Sequence, residues 1–436
     1  MNTQDSEARF IDVNELRIGM FVFLDLGWME HPFALNSFKI TSRDQIDTIL
    51  QLGINRIRWS AAKSDPEPRP AAAAAAPPVQ SDEPLTARQA LNEALAVEAE
   101  ARRQRRDRLN VQRESLEVCE RQFASAARAF RQVMDSITSR PEAAREQTEQ
   151  MIGGMVGKML EQEESAIRLL SENAGEKASL HTINVTIISL LLGRAMGLDA
   201  AALNALGTGA LLHDIGKIKL PERLRWQEEN FNNAERKLHQ EHVAHGVTIG
   251  QAMKLSPEVL TILAQHHERS DGRGYPAQLA GEAVAPLARI VALVNHYDNL
   301  CNPSNPVLAI TPHEALSQIF AQMKKQFDTP VLTLFIRMMG VYPPGSVVEL
   351  TDGRFALVVS VNSSRPLKPQ IVIFDARVPR DEAMVEDLEK ATDIGIRRSL
   401  KPLHLPKAAF DYLSPRQRMC YFFERARSVG ESDVTS

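Results

Sequence analysis

The chain contains few cysteines, no long apolar run and no large excess of charge of either sign. Cys119, Cys301 and Cys420 are too few and too widely spaced among 436 residues for a disulfide framework or a thiolate metal site. A reducing compartment is therefore predicted. The formal net charge of -4 gives no indication of binding to a nucleic acid polymer. The first ten residues include acids and no apolar stretch, so no secretory signal is predicted.

The most apolar segment, residues 187–212, is interrupted by Arg194, Asp199 and Asn204. A membrane-spanning helix needs about 20 largely uncharged residues, so no membrane span is predicted and we expect a cytoplasmic protein. A chain of 436 residues exceeds a single small core, since a domain usually has about 100–200 residues. Two or three domains are therefore expected.

Residues 1–60 have the pattern of a small α+β module. Residues that favour strands surround Met20–Leu24, and Ser42 is a suitable N-cap for a helix with apolar residues at helical spacing. Ile54–Trp59 follows as a returning strand. Proline, alanine and charged residues then dominate residues 61–84, which predicts a disordered linker.

The next segments are predicted to be helical, first as an arm over residues 85–143 and then as an all-α domain over residues 144–340. In the arm, apolar residues recur at steps of three and four, at Phe123, Ala127, Phe130, Met134 and Ile137. The run 101–108 carries five arginines. We interpret it as a solvated helix face, with contact to phosphates as the alternative.

After Met339 the pattern changes from helical to extended. Two strand-like runs around an Asp-Gly turn at 352–353 predict a β-hairpin, and residues 369–376 could add a third strand. Residues 380–425 are predicted to be mixed and mostly helical. The expected protein is therefore mainly α, with an all-α bundle as its core. A small N-terminal α+β module precedes the bundle, and a short β-hairpin region lies within residues 341–436.

Histidines cluster in the middle of the chain. Eight of the eleven lie within residues 181–296, which is about a quarter of the sequence. A single histidine on a helix is more often an ordinary core or surface residue than a ligand, so the interpretation depends on the clustering and on the neighbouring residues. Residues 211–217 read LLHDIGK, and residues 265–276 read QHHERSDGRGYP.

These two motifs supply the residue types of a metal site. The first presents an imidazole and a carboxylate side by side; imidazole suits Fe, Mn, Zn or Ni, and a carboxylate can bridge two ions. Adjacent histidines on a helix diverge by about 100°, so they approach a shared site from different sides. His181 and His242 are further candidates upstream. Five histidines and one aspartate exceed the need of one ion, which predicts a two-metal site suited to attack on a phosphodiester.

HDIGK followed by HHERSDGRGYP resembles the HD-GYP family, a branch of the HD-domain metal-dependent phosphohydrolases. The resemblance implies an HD-type all-α bundle. It also implies hydrolysis of the bacterial second messenger cyclic di-GMP to pGpG or GMP, with two or three metal ions that are often iron or manganese. Residues 10–59 resemble the small domain of unknown function that precedes many HD-GYP domains. The hairpin after Tyr342 resembles the tail of the same subgroup.

Carried over by position, the resemblance implies a ligand set, a catalytic lysine and a substrate-contacting loop. The implied ligands, with Asp214 as the catalytic bridge, are His181, His213, Asp214, His242, His266 and His267. Lys217 would contact the scissile phosphate and protonate the leaving oxygen, since a fixed ammonium stabilises charge that develops in the transition state. The implied substrate contacts besides Lys217 are Gly272, Gly274, Tyr275 and Asp298. A purely architectural role of the glycine loop is the alternative.

The sequence departs from the family pattern at two places. Asn295 stands where the family has a metal-binding aspartate, and an amide oxygen brings no charge, so a weakened ligand is implied. The segment 301–306 stands where the family carries an Arg-Pro-Tyr-Arg/Lys type motif that binds guanine or phosphate. This segment contains no cation, which predicts that the substrate clamp is missing on that side.

Three functions remain open. The leading one is a cyclic di-GMP phosphodiesterase with two divalent ions, Fe or Mn. The alternative is a degenerate HD-GYP protein that senses a cyclic dinucleotide, or that acts as a scaffold for diguanylate cyclases or other signalling proteins, without turnover. A phosphohydrolase acting on another nucleotide is the third. The N-terminal module and the helical arm are expected to regulate the protein or to form a homodimer.

Overall fold

The computed structural model describes most of the chain, in segments separated by short gaps. The described residues are 8–24, 33, 36–52, 54, 56–66, 85–162, 164–171, 177–226, 231–362, 365–391 and 393–425. Backbone contacts divide the chain into two compact units, residues 1–90 and 91–436, and each is described by itself. Among the described helices, none is long and apolar enough to cross a membrane.

The first unit contains a four-stranded antiparallel sheet and one helix. Its elements are β1 (Ala8–Asp12), β2 (Phe21–Phe23), β3 (Ser37–Lys39), α1 (Arg43–Gln51) and β4 (Arg56–Ser60), with the strand order β1-β4-β2-β3. Ser42 caps α1 by accepting a hydrogen bond from the Gln45 N–H at 3.4 Å. Ile40, Ile49 and Ile57 are buried between the helix and the sheet. The predicted α+β module is therefore confirmed.

The first residues of the predicted linker, 61–66, are ordered against the module. The Asp65 N–H donates to the Gly19 carbonyl at 2.9 Å, and the Asp65 carboxylate pairs with Lys39 at 2.7 Å. Residues 61–66 therefore pack on the module. The rest of the predicted linker, 67–84, lies outside the described residues.

The second unit is a helical bundle that carries a sheet. Its helices are α2 (Leu85–Ser136, which begins just before the division), α3 (Pro141–Leu160), α4 (Lys177–Ala195), α5 (Ala200–Leu212), α6 (Arg223–Trp226), α7 (Asn233–Gln240), α8 (His242–Ala252), α9 (Pro257–Gln265), α10 (Pro286–Cys301), α11 (Pro312–Gln322), α12 (Thr329–Met339) and α13 (Lys407–Leu413).

The bundle is centred on α4, α5, α9 and α10, which pack against one another. The interior face of α4 includes the fully buried Ile183, Ile187 and Leu190. The predicted apolar stripe of the arm is confirmed, since Phe123 of α2 and Ile137, just after the end of that helix, are also fully buried. The mainly α fold with an all-α core is therefore confirmed.

The sheet of the second unit is larger than the predicted hairpin. Its strands are β5 (Ser165–Leu169), β6 (Val347–Leu350), β7 (Phe355–Asn362), β8 (Gln370–Ile373), β9 (Val385–Asp387), β10 (Ile396–Leu400) and β11 (Tyr421–Arg425). The hairpin β6–β7 and the third strand β8 are confirmed, with Gly353 at φ +85° in the turn. The prediction that residues 380–425 are mostly helical is wrong, because α13 is the one α-helix of that stretch beside β9, β10 and β11.

Strand β5 lies inside residues 144–340, which the sequence predicts to be an all-α domain; that part of the prediction is wrong. It pairs with β7 on one side and β11 on the other, and each of its residues is buried. Because both partners come from the C-terminal part of the chain, the sheet joins residues 347–425 to the bundle. Strand β11 also packs against α4.

Candidate metal centre

Three helix ends and a short turn bring the predicted ligands together. His213 follows α5, His266 follows α9 and His242 begins α8. Asp214 precedes the 3₁₀ turn Ile215–Lys219, and His181 lies in the second turn of α4. Helix ends suit this purpose because a side chain there can point beyond the bundle core.

Four of the five histidines have one ring nitrogen fixed by the protein. The Nδ1 atoms of His213, His242 and His266 lie 2.8, 2.6 and 2.9 Å from the carbonyl oxygens three residues earlier. A carbonyl can only accept, so each Nδ1 carries the proton and each Nε2 presents a lone pair. Nδ1 of His181 donates to Asp298 Oδ2 at 2.6 Å. Such outer contacts orient imidazoles that bind metals.

The carboxylate of Asp214 lies between two groups of imidazoles. Its Oδ1 is 3.5 Å from Nε2 of His242 and 3.8 Å from Nε2 of His266. Its Oδ2 is 3.3 Å from Nε2 of His213 and 3.9 Å from Nε2 of His181. The ligand atoms of Asp214, His242, His266 and His267 form one cluster, and those of His181, His213 and Asp214 form another, each within 4.8 Å. A carboxylate shared in this way can bridge two cations.

The chemistry of this donor set fits divalent cations. Nε2 of His242 and Nε2 of His266 are 3.3 Å apart, and their lone pairs repel each other unless a cation lies between them. Nε2 of His213, Nε2 of His267 and Oδ1 of Asp214 are buried without a hydrogen-bond partner among the described residues. Each unsatisfied buried polar group costs about 1–3 kcal/mol, a cost that a bound cation would remove.

The protonation states also favour metal binding. Burial lowers the pKa of His242 to about 4, and burial together with the neighbouring imidazoles holds the pKa of His266 and of His267 well below the usual range. Burial opposes ionisation of Asp214, but the Lys217 ammonium at 2.8 Å helps to hold the pKa of that carboxyl well below its ordinary value. Neutral imidazoles and an ionised carboxylate are the forms that bind metals.

A close contact between two glycines fixes the turn of Asp214 against α8. A Cβ atom added to Gly216 would lie 1.8 Å from the His242 carbonyl oxygen and 2.5 Å from the Gly246 nitrogen. Only glycine allows this approach of the two backbones. The contact therefore sets the position of Asp214 and Lys217 relative to His242.

The loop of residues 270–276, which contains Gly272, Gly274 and Tyr275 and is called the signature loop below, is attached to the end of α9. The buried carboxylate of Glu268 accepts hydrogen bonds from the N–H groups of Ala277 and Leu279 at 2.7 and 2.9 Å. A Cβ on Gly274 would lie 2.5 Å from the backbone at Glu268, and Gly272 has φ +75°. The ring of Tyr275 stacks on His267, with centroids 4.5 Å apart. The architectural role of the loop is visible in these contacts, while its predicted contact with substrate stays a prediction.

Asp298 lies beside His181 and fixes the ring of this predicted ligand. Its carboxylate is fully buried; Oδ2 accepts from His181, and Oδ1 accepts from Nδ2 of Asn184 and Nδ2 of Asn302, both at 2.8 Å. These partners favour the positioning of His181 over the predicted contact with substrate. Sequence reasoning did not single out Asn184, although an amide on an otherwise apolar helix was the available signal.

Asn184 and Asn302 also hold the chain just before β11. The side-chain oxygen Oδ1 of Asn302 accepts a hydrogen bond from the Met419 N–H at 2.7 Å. The side-chain amides of Asn184 and Asn302 both donate to the backbone carbonyl of Met419. Asn184 in turn accepts from the Tyr421 N–H at 3.0 Å. The C-terminal part of the chain is thus hydrogen-bonded to the residues that support His181.

A pocket of about 390 Å³ opens beside His266 and His267. Asn295 lines it, is 3% exposed, and accepts a hydrogen bond from the Asn299 amide at 2.8 Å. Asn295 therefore shares the pocket with His266 and His267, and its side-chain carbonyl oxygen is already bonded to Asn299. Its role as a weakened metal ligand stays a prediction. His296 also lines the pocket; burial, and secondarily Arg269, lowers its pKa to about 4.

Comparisons with known proteins agree with this geometry. The sequence profile of the HD domain matches residues 131–331, and that of a domain of unknown function (DUF3391) matches residues 9–148. The chain is 27% identical over 387 residues to a cyclic di-GMP phosphodiesterase of Pseudomonas aeruginosa, covering 86% of this chain and 88% of that protein. It is 26% identical over 225 residues to a cyclic di-GMP phosphodiesterase of Borreliella burgdorferi, covering 51% and 59%.

Among solved structures, an HDG"Y"P protein from Bdellovibrio bacteriovorus aligns with 75% of this chain and 97% of its own, at 15% identity and a TM-score of 0.42. The HD-domain match, the helical bundle and the His/Asp clusters define an HD-domain protein with a metal-dependent phosphodiesterase type of site. The chain therefore contains an HD domain and the N-terminal domain of unknown function, and its HDIGK and HHERSDGRGYP motifs carry the resemblance to the HD-GYP family. The N-terminal domain's match extends beyond residues 10–59 through the predicted linker and arm, further than expected.

Proposed function

We propose that this protein hydrolyses the 3′-5′ phosphodiester bond of cyclic di-GMP, to pGpG or GMP, with two divalent cations of iron or manganese. The substrate is that of its relatives in Pseudomonas aeruginosa and Borreliella burgdorferi, as their names give it. The cytoplasmic location, the homodimer and the association with diguanylate cyclases stay predictions from the sequence.

The observation that carries the proposal is the shared carboxylate of Asp214. Its two oxygens face different imidazole groups, and no hydrogen bond satisfies Oδ1 among the described residues. A protein that only binds partners has no need for this arrangement, since each buried unsatisfied group lowers stability. When bound, two cations would supply Lewis-acid stabilisation of the phosphate charge and a nucleophilic water at neutral pH.

The remaining chemistry comes from side chains of this chain. Asp214 would hold both cations, and His181 would be kept in place by Asp298. Lys217, 2.8 Å from Asp214 and partly exposed, would donate hydrogen bonds to the scissile phosphate and a proton to the leaving oxygen. The loop fixed by Glu268 would close one side of the site.

The test measures metal content and hydrolysis of cyclic di-GMP on one anaerobically purified sample. We expect close to two metals per chain in the wild type, and loss of both metal and turnover in the double variant His213→Ala/Asp214→Ala. Lys217→Met should keep the metal while turnover falls about 100-fold or more, because a fixed charge near the transition state is removed.

His245→Ala is the matched control, because His245 lies one helical turn after His242 on α8 and is partly exposed outside the clusters. It should keep wild-type metal content and turnover. Absence of turnover in the wild type after Fe(II) or Mn(II) has been added would reject the enzyme and favour the binding-only alternative. The weakened ligand implied at Asn295 is the specific reason to consider that outcome.

A further inference from the structure

The pocket beside the metal centre is lined by three arginines. They are Arg236 on α7, Arg269 just before the signature loop and Arg273 within it. The same pocket is lined by His266 and His267. Its volume of about 390 Å³ lies within the range of about 300–1,000 Å³ that is usual for small-molecule sites. A ligand that enters the pocket therefore meets both the metal ligands and the three guanidinium groups.

The described residues around this pocket do not neutralise its three guanidinium charges. Within the described part of the chain, the guanidinium groups of Arg269 and Arg273 form no hydrogen bond and no ion pair, and that of Arg236 donates to the Phe231 carbonyl at 3.5 Å. Among the described residues that line the pocket, Glu268 is the one acidic side chain; it is 1% exposed and accepts from two backbone N–H groups. The pocket is thus strongly cationic.

Segment 301–306, where the family carries its cationic clamp, cannot supply positive charge to a ligand. Asn302 is 7% exposed, and its amide binds Asp298 and both polar backbone groups of Met419. It therefore supports the C-terminal segment and does not face a ligand. The cations that would hold the rest of a cyclic dinucleotide must come from another element of the site.

We propose that Arg269 and Arg273, assisted by Arg236, bind the second, non-reacting phosphate of a cyclic dinucleotide while the first phosphate lies at the metal centre. This subsite rests on the proposed function and deepens it. Guanidinium groups bind phosphate through paired N–H groups, which is the grip that segment 301–306 lacks. The subsite selects substrates that carry two phosphodiesters.

The experiment compares two substrates that differ in this second phosphate. Arg269→Ala, Arg273→Ala and the double variant are assayed with cyclic di-GMP and with bis(p-nitrophenyl) phosphate, which has one phosphodiester. KM or Kd for cyclic di-GMP should rise by about tenfold to 100-fold, as for the loss of a charged hydrogen bond. Turnover of the single phosphodiester and the metal content should stay unchanged. Arg269→Lys should recover only part of the loss.

Arg380→Ala is the matched control, an exposed arginine away from the pocket that forms no side-chain hydrogen bond or ion pair among the described residues. Equal losses with both substrates, or no loss with either, would overturn the subsite. If wild-type protein hydrolyses neither substrate, the proposed function fails, and calorimetric binding of cyclic di-GMP to the same variants decides the subsite. Unchanged Kd values in Arg269→Ala and Arg273→Ala would then reject it.

Discussion

Replacing Gly216 by alanine should separate the two backbones that position the metal ligands. The new Cβ would lie 1.8 Å from the His242 carbonyl oxygen and 2.5 Å from the Gly246 nitrogen, both backbone atoms that no rotamer change can remove. Contact distances for carbon are about 3.5 Å, so the turn Ile215–Lys219 must move away from α8 by roughly 1.5 Å. Asp214 and Lys217 would move with it, away from His242.

The expected cost is large for a single methyl group. Overpacking a core usually costs about 1–3 kcal/mol, and a clash between two backbones should lie at or above the upper end of that range. Gly246→Ala provides the matched control at the same contact, because its new Cβ would have its nearest neighbour at 3.7 Å. Since Gly246 lies inside α8, alanine there should leave stability unchanged or raise it by up to about 1 kcal/mol.

Urea unfolding of both variants, with chelator present, separates the packing effect from metal binding. Gly216→Ala should lower the midpoint clearly, and a parallel titration with Mn(II) should show weaker binding by about tenfold or more. Gly246→Ala should match the wild type in both measurements. Equal midpoints and equal metal affinities for the two variants would refute the argument that this backbone contact sets the ligand geometry.

Chelation should lower the thermal midpoint, and added Fe(II) or Mn(II) should restore it. At a free cation concentration of 100 times Kd, the free energy of unfolding should rise by about 2.7 kcal/mol. An unchanged midpoint would contradict a cation between the imidazoles. Asn295→Asp should strengthen metal retention about tenfold, whereas Asn299→Asp should not. Asn302→Ala should lower the free energy of unfolding by about 2 kcal/mol or more in urea, because it leaves both buried backbone groups of Met419 with fewer partners. Because folding lowers the pKa of His242 from about 6.5 to about 4, metal-free protein should unfold more easily as pH falls through this interval, measured by denaturation from pH 7.5 to 4.

Much of the metal centre could be predicted because its residues occur in short, specific motifs. HDIGK and HHERSDGRGYP, with His181 and His242, named the side chains that the structure brings into two clusters around Asp214. The role of Asp298 was not accessible in the same way. Its motif position suggested contact with substrate. Of its actual partners, Asn302 is four residues away in the sequence, but Asn184 is 114 residues away.

The positive pocket was likewise invisible in the sequence. Reading along segment 301–306 showed that cations were absent there, but a linear pattern could not show that Arg236 and Arg273 line one pocket with His266. Arg236 lies on a different helix from the loop that carries Arg273. Their proximity depends on how α7 packs against α8 and on the contacts of Glu268 with the loop.

By itself the sequence determined the helical bundle, the N-terminal module, the Asp-Gly hairpin and which histidines and aspartate are the candidate ligands. These features depend on local hydrogen bonds, capping and side-chain periodicity, as at Ser42 and Gly353. Only the tertiary structure decided β5, whose residues lie in a largely helical segment and form a strand because β7 and β11 pair with them. A strand obtains its hydrogen bonds from partners that can be hundreds of residues away, so no local pattern specifies it.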